Sequence, residues 1–137
     1  MDLIIKAANA TAGKILIVDD DPDTCQLLQF LFQRKGYQTK AVTSGWQAIQ
    51  HVEDQPPDLV VLDVLMPEMD GWETFRRVRE LSNSPVLFLS ALGGGEHAAQ
   101  ALQMGADDFI RKPYSNVELL ARVEMALSRA RGNTSRA

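Results

Sequence analysis

Leu59-Val60-Val61-Leu62-Asp63 is the stretch of sequence that decides the fold. Four consecutive aliphatic residues are typical of a strand with both faces covered, as in a parallel sheet flanked by helices. The carboxylate of Asp63 follows at the tip of that predicted strand. A second such run, Ile15-Leu16-Ile17-Val18, is followed by three aspartates at positions 19–21. Together the two runs predict acidic side chains at the ends of buried strands.

Strand and helix patterns alternate five times along the chain. Strands are predicted at residues 14–19, 37–42, 58–63, 85–90 and 107–111, with a helix after each. This alternation is typical of right-handed crossovers and a doubly wound parallel sheet. Five strands fit the order 2-1-3-4-5, so we expect an α/β fold of the flavodoxin-like (βα)5 type. The second predicted strand has mixed polar composition, which favours an edge position.

The length of 137 residues suits one domain. We predict it at residues 14–130, after an N-terminal extension (1–13) and before a C-terminal tail or linker start (131–137). The net charge of -4 argues against direct nucleic-acid binding by this segment, because phosphate contacts need clustered Lys and Arg. The single cysteine, Cys25, fits a reducing compartment. No apolar run approaches the roughly 20 residues of a membrane span, so a cytoplasmic location is expected.

In this strand order, the first and third strands flank the topological switch point, where ligand crevices open outside the carboxyl ends of the strands. Asp19, Asp20 and Asp21 fall at one of these ends and Asp63 falls at the other. Carboxylates without Cys or His neighbours select a hard divalent cation, Mg2+ or alternatively Mn2+. The sequence therefore predicts a cation-binding acidic crevice.

Two more polar residues end predicted strands at the same edge. Ser90 closes the fourth strand, and Lys112 follows the fifth. Taken singly, Ser90 reads as a loop hydroxyl, Lys112 as a solvated charge, and an aspartate at a strand end as a helix cap, which is a fair account of Asp21. Together, a cation, a hydroxyl and an ammonium around one carboxylate make a binding site for a phosphoryl group attached to that carboxylate. Their joint placement favours the functional interpretation.

Four blocks of sequence resemble response regulator receiver domains of two-component signalling. They are KILIVDDD (14–21), VVLDVLMPEMDG (60–71), LSA (89–91) and GADDFIRKP (105–113). The resemblance covers about residues 13–130. It implies that Asp63 accepts a phosphoryl group from the phosphohistidine of a sensor histidine kinase. It further implies that Asp20, Asp63 and the Leu65 carbonyl bind Mg2+, with Asp19 acting largely through water.

The same resemblance identifies the switch residues, which are expected to move when the domain is phosphorylated. Ser90 and Phe109 match the switch hydroxyl and the switch aromatic, and Lys112 matches the phosphoryl-binding lysine. The bond between Lys112 and Pro113 matches a peptide that is cis in the family. Phosphorylation is then expected to draw Ser90 toward the phosphoryl oxygens and let Phe109 turn inward. The face formed by the fourth helix, fifth strand and fifth helix would relay this change to an output domain or partner.

Leu65 and Leu92 occupy positions that tune hydrolysis of the acyl phosphate in the family. Neither side chain can hydrogen-bond an attacking water. We therefore expect slow autodephosphorylation. The protein would catalyse only its own phosphotransfer and dephosphorylation, and would not be a metabolic enzyme.

The C-terminal part resembles regulators that carry a winged-helix DNA-binding domain, which dimerise through salt bridges on the switch face. Asp108 with Arg122 and Asp107 with Arg129 match two of the usual pairs. The third pair needs a base on the fourth helix, where Ala98 stands. A homodimer of the phosphorylated form through this face is expected.

Two other functional classes stay open. An aspartyl-phosphate hydrolase that acts on external substrates usually has a second acid two residues after its nucleophile, where this chain has Leu65. A flavodoxin-like cofactor binder has a phosphate loop rich in Ser, Thr and Gly after its first strand. Asp19-Asp20-Asp21-Pro22 stands there instead and would repel phosphate without a metal.

Overall fold

The computed structural model describes residues 12–92 and 95–136, with side chains described up to residue 132. Within these residues, five strands and five helices alternate: β1 (Lys14–Val18), α1 (Pro22–Gln33), β2 (Gln38–Val42), α2 (Gly45–Asp54), β3 (Leu59–Leu62), α3 (Gly71–Leu81), β4 (Val86–Ser90), α4 (Gly95–Gln103), β5 (Asp108–Arg111) and α5 (Asn116–Arg136). Neighbouring strands pair in parallel in the order β2-β1-β3-β4-β5. The predicted fold class and strand order are confirmed.

The helices cover both faces of the sheet. Helices α2, α3 and α4 pack on one face, and α1 and α5 pack on the other. Because successive strand residues point to opposite faces, Leu16 and Val18 belong to the first layer, whereas Ile15 and Ile17 belong to the second. All residues of β3 and β4 are buried, as their continuous apolar runs predict. The mixed polar β2 lies at an edge of the sheet, as expected.

Side-chain caps fix where the helices leave the sheet edge. Asp21 accepts a hydrogen bond from the Asp23 N–H at 3.2 Å before α1. Asp70 accepts one from the Glu73 N–H at 3.0 Å before α3. Ser44 caps α2 in the same way. Such caps satisfy amide groups that have no partner inside the helix. Asp21, the last of the three consecutive aspartates, therefore serves as the N-cap of α1.

The domain boundaries lie partly outside what the structure describes. Of the extension predicted at residues 1–13, only Ala12 and Gly13 are described. At the other end, α5 continues to Arg136, past the boundary predicted at residue 130. The Arg131 guanidinium donates to the Ala12 carbonyl at 2.8 Å, which anchors α5 beyond that boundary. The division of the chain into extension, domain and tail stays a prediction. No helix in the described part of the chain has the length and hydropathy of a membrane span.

Candidate functional site

The carboxyl ends of β1 and β3 bring Asp19 and Asp63 together. The two strands are neighbours, with Val18 beside Leu62, so the residue after each strand emerges at the same point of the edge. The Asp63 N–H donates to the Val18 carbonyl at 3.0 Å, which extends the pairing by one residue. Both aspartates are buried, with 4% of Asp19 and 7% of Asp63 exposed to solvent.

Asp20 completes an acidic cluster with this pair. One carboxylate oxygen from each of Asp19, Asp20 and Asp63 can be chosen so that all three lie within 4.8 Å of one another. Asp20 is exposed, so the cluster opens to solvent on one side. Carboxylate oxygens are the preferred protein ligands of Mg2+, which usually keeps several waters in its shell. The cluster could therefore hold a divalent cation in a half-open site.

Lys112 supplies the positive charge of the pocket. Its Nζ lies 3.2 Å from Oδ2 of Asp19 and 3.8 Å from Oδ2 of Asp63. Burial of the ammonium lowers the pKa of Lys112, but the two carboxylates outweigh burial, so the pKa is raised above its ordinary value. The peptide between Lys112 and Pro113 is cis, as the resemblance implied. Lys112 is thus held charged between both acids.

Asp63 lies in an environment that disfavours its charged form. Burial is the largest influence and raises the pKa of its carboxyl group. Lys112 opposes this increase, while the negative charge of Asp19 adds to it. The Leu65 N–H, which donates to Oδ1 at 3.2 Å, also lowers the pKa, but the net shift is upward. A bound cation or a covalent modification of Asp63 would relieve this unfavourable charge.

Ser90 and Phe109 lie on β4 and β5, beside the acids. Ser90 is fully buried, and its hydroxyl is one of the groups that lower the pKa of Asp63, against the larger effect of burial. Its backbone carbonyl accepts a hydrogen bond from the Lys112 N–H at 2.9 Å. Phe109 is half-buried, with its ring centroid 6.2 Å from that of Phe88. Phe88 also contacts Trp72 at a centroid distance of 4.9 Å.

The two leucines at the rim differ in exposure. Leu65 is 51% exposed, whereas Leu92 is partly buried against the core layer that also contains Phe109. The Leu92 N–H donates to the Ser90 hydroxyl at 3.2 Å. The structure thus brings together Asp19, Asp20, Asp63, Ser90 and Lys112. The metal-ligand role of the Leu65 carbonyl stays a prediction.

Two supporting residues were not anticipated from the sequence. A Cβ atom at Gly71 would overlap the Asp63 carbonyl oxygen and lie 2.6 Å from the Val64 Cα, so only glycine fits this approach. The Cys25 thiol donates to the Asp19 carbonyl at 3.2 Å. For Gly71, the sequence did contain a signal, because a glycine directly after the capping Asp70 is unusual at the start of a helix. Nothing in the local sequence indicated the second.

Comparison with known proteins gives a consistent result. Residues 15–124 match the sequence profile of the response regulator receiver domain. The chain is 38% identical over 118 residues to the transcriptional regulatory protein CpxR homolog of Haemophilus influenzae. That match covers 86% of this chain and 52% of the relative, so the chain spans about half the length of that relative.

Solved structures give the same picture. The receiver domain of Francisella response regulator 1452 is 33% identical, with a TM-score of 0.81, over 86% of this chain and 98% of that one. The BeF3-activated N-terminal receiver domain of RstA from Klebsiella pneumoniae is 31% identical, with a TM-score of 0.79, over 83% and 97%. Both similarities extend over most of the fold described above.

Proposed function

This chain belongs to the response regulator receiver domain family of two-component signalling, and we propose that Asp63 is its phosphoacceptor. The observation that carries the proposal is the position of Lys112, whose Nζ lies 3.2 Å from Asp19 and 3.8 Å from Asp63. An ammonium there can stabilise negative charge on a phosphoryl group attached to Asp63. The unfavourable burial of the Asp63 carboxylate supports the same role.

In the proposed reaction, an Asp63 oxygen attacks the phosphorus of a phosphohistidine on a sensor histidine kinase. The P–N bond breaks, the imidazole takes up a proton, and an acyl phosphate forms on Asp63. Mg2+, held by Asp20, Asp63 and the Leu65 carbonyl, with Asp19 acting through water, would neutralise charge on the phosphoryl oxygens. Mn2+ is an alternative cation. Lys112 would bind one phosphoryl oxygen, and Ser90 would donate a hydrogen bond to another.

We propose that the signal leaves through α4, β5 and α5. Ser90 would move toward the phosphoryl group, and Phe109 would turn toward the vacated space. Both residues belong to the strands that end beside Asp63, so a local change at the acid reaches β5 directly. The phosphorylated state would shift the population toward an altered face that an output domain or partner recognises. The protein would act in the cytoplasm, where its kinase partner phosphorylates it.

A homodimer of the phosphorylated form would use the same face. The Arg122 guanidinium lies 2.8 Å from the Asp108 carboxylate, and Arg129 donates to the Asp107 carbonyl at 3.3 Å, all within one chain. These groups would exchange their partners across the dimer. Surface ion pairs contribute about 0 to 1 kcal/mol each. With Ala98 in place of a third base, we propose a weak dimer.

The proposal is tested by incubating the protein with acetyl phosphate and Mg2+ and measuring its intact mass. We expect one added phosphoryl group on the wild-type chain and on the control Asp54→Asn, which changes an exposed acid away from the cluster. Asp63→Asn should add none. A wild-type chain that gains no mass contradicts the proposal and favours a degenerate receiver domain or a cofactor-binding domain. Continuous release of phosphate from unrelated phosphate esters would favour the hydrolase alternative.

A further inference from the structure

The loop between β3 and α3 (residues 63–70) carries backbone groups on which the proposed cation site depends. The Leu65 N–H donates to Oδ1 of Asp63 at 3.2 Å, and the Leu65 carbonyl is the proposed backbone ligand. Farther along, the Met69 N–H donates to the Pro67 carbonyl at 2.8 Å, so the loop is folded on itself. The position of Leu65 therefore depends on what holds this loop in place.

The first residue of α2 packs against the far part of this loop. Gly45 is buried, and a Cβ atom at this position would overlap Oγ1 of Thr74, near the start of α3. The same atom would lie 2.9 Å from Sδ and 3.3 Å from Cβ of Met69. Helix α2 thus approaches the loop and α3 so closely that only glycine fits at its first position.

The two residues that face Gly45 have little freedom to move aside. Thr74 is fully buried, and its hydroxyl donates to the Asp70 carbonyl at 2.8 Å. Met69 is also buried, and although its Sδ is flexible, its Cβ is attached directly to the backbone of the loop. A methyl group at position 45 would therefore be accommodated by a shift of backbone, either in the loop or in α2.

Other groups of the site stand outside this contact. The three heavy atoms nearest to a Cβ at position 45, beyond α2 itself, belong to Met69 and Thr74. Lys112 approaches from the end of β5 and Asp19 from the end of β1, with 3.2 Å between Nζ and Oδ2. Crowding at Gly45 would therefore act on the loop and leave the ammonium beside Asp19 in place.

We propose that Gly45 is a positioning residue for the cation site. By letting α2 seat against Met69 and Thr74, it holds the loop where the Leu65 N–H reaches Asp63 and the Leu65 carbonyl would bind the cation. The inference rests on the proposed function, because it concerns the cation that would act at the phosphoacceptor. Groups behind a metal ligand orient that ligand, and their substitution typically weakens metal binding roughly 10- to 100-fold.

Calorimetric titration of the full chain with Mg2+ tests this role. Gly45→Ala should raise the Kd for Mg2+ by roughly tenfold, because the displaced loop no longer presents the Leu65 carbonyl correctly. In EDTA, the amide NMR signal of Leu65 should shift as well, which reports the position of the loop without any metal. Gly132→Ala adds a methyl group in open surroundings on α5 and should leave both measurements at their wild-type values.

A second pair of variants separates positioning from a general loss of stability. Thr74→Ala removes the hydroxyl that the new methyl group would overlap. Adding Gly45→Ala to Thr74→Ala should therefore weaken Mg2+ binding much less than adding it to the wild-type chain. Met69→Ala opens the same contact instead of crowding it and should also weaken Mg2+ binding, so the test does not depend on Gly45→Ala alone.

Three results would overturn the inference. Gly45→Ala, or Met69→Ala if the former does not fold, could unfold in less urea and yet bind Mg2+ with wild-type affinity, which would leave this contact a structural role only. Gly45→Ala could weaken Mg2+ binding equally with and without Thr74→Ala, which would exclude the overlap as the cause. A wild-type chain that binds no Mg2+ would refute the proposed cation site itself, and this inference with it.

Discussion

Gly71 packs against the backbone of Asp63 so closely that a Cβ atom at position 71 would overlap the Asp63 carbonyl oxygen. The Gly71 N–H donates to the Val64 carbonyl at 2.8 Å, which closes the loop between β3 and α3. The first residue of α3 thereby supports the backbone that carries the proposed phosphoacceptor. Since the obstructing atoms are backbone atoms, they cannot move aside as a flexible side chain would.

We predict that Gly71→Ala lowers the free energy of unfolding by about 1 to 3 kcal/mol, because overpacking forces a backbone shift. Phosphorylation by acetyl phosphate should slow as well, since Asp63 moves with its carbonyl. Urea unfolding and intact mass over time measure the two effects. Gly132→Ala is the matched control: its surroundings are open, and alanine in a helix should add up to about 1 kcal/mol. Equal stability of Gly71→Ala and the wild type would contradict this account.

Leu65→Asn should shorten the lifetime of the phosphorylated form. Asparagine can orient a water toward the phosphorus, whereas leucine cannot, and effects of this kind are roughly 10- to 100-fold at a positioned polar group. Leu65 is half exposed, so the change should cost little stability. The measurement is loss of the phosphoryl mass after the donor is removed. Leu27→Asn, at a leucine of similar exposure on α1, serves as the control. An unchanged lifetime in Leu65→Asn would reject the prediction of slow hydrolysis through this position.

Lys112→Met should destabilise the metal-free protein by about 1 to 3 kcal/mol, because two buried carboxylates lose their charged partner. Added Mg2+ should restore much of the loss, since a ligand that binds only the folded state stabilises it. Thermal unfolding in EDTA and in Mg2+ separates the two conditions. Lys40→Met removes an exposed lysine from the edge strand and is the control. Its stability should equal that of the wild type both in EDTA and in Mg2+. If Lys112→Met unfolded at the same temperature in Mg2+ as in EDTA, the cation site would not involve these acids.

Asp63→Asn should raise the stability of the metal-free protein at neutral pH. Burial raises the pKa of Asp63 in the folded chain above its unfolded value. A group whose pKa is raised by folding stabilises the folded state fully when the pH is below its pKa in the unfolded chain. That stabilisation is lost as the pH rises through its pKa in the folded chain. At neutral pH the charged form therefore opposes folding, and asparagine removes this penalty. Urea unfolding in EDTA should show a gain at neutral pH that shrinks in acid. A gain that grew in acid would contradict the assigned direction.

The beryllofluoride-treated protein in Mg2+ should associate weakly in a sedimentation series. Arg122→Ala should reduce this association, because Arg122 would lose its pairing with Asp108 across the dimer. Arg76→Ala removes an exposed arginine from α3 and should have no effect. Monomers at every concentration would argue against a dimer through this face.

The arrangement of strand ends could be predicted from the sequence because parallel strands leave a sheet at one edge. Asp19, Asp63 and Ser90 each follow or close an apolar run, and Lys112 follows the short fifth strand, so the fold class alone brings them near each other. The helix cap at Asp21 could be predicted for a different reason, because it depends only on the local sequence. The Asp21 carboxylate accepts a hydrogen bond from the backbone N–H of Asp23, only two residues away, so a short sequence pattern is enough to predict it.

Contacts that depend on packing between distant elements could not be predicted. Asp19 is buried, whereas Asp20 next to it is exposed. Two identical residues cannot be told apart by residue type, so this difference had to come from the turn into α1. The thiol of Cys25 on α1 reaches the Asp19 carbonyl at the end of β1, a contact that no residue pattern indicates. Past residue 130, Arg131 of α5 contacts Ala12, which is far away in the sequence.

The aromatic contacts in the core have a practical consequence. Phe88 contacts both Trp72 and Phe109, so an indole lies two ring contacts from the proposed switch residue. Any reorientation of Phe109 alters the surroundings of Phe88 and, through it, those of the indole. The other tryptophan, Trp46, is 52% exposed and can be replaced to remove its emission. If Phe109 turns on phosphorylation as proposed, the emission of Trp72 should change with it and follow activation in real time, without any attached dye.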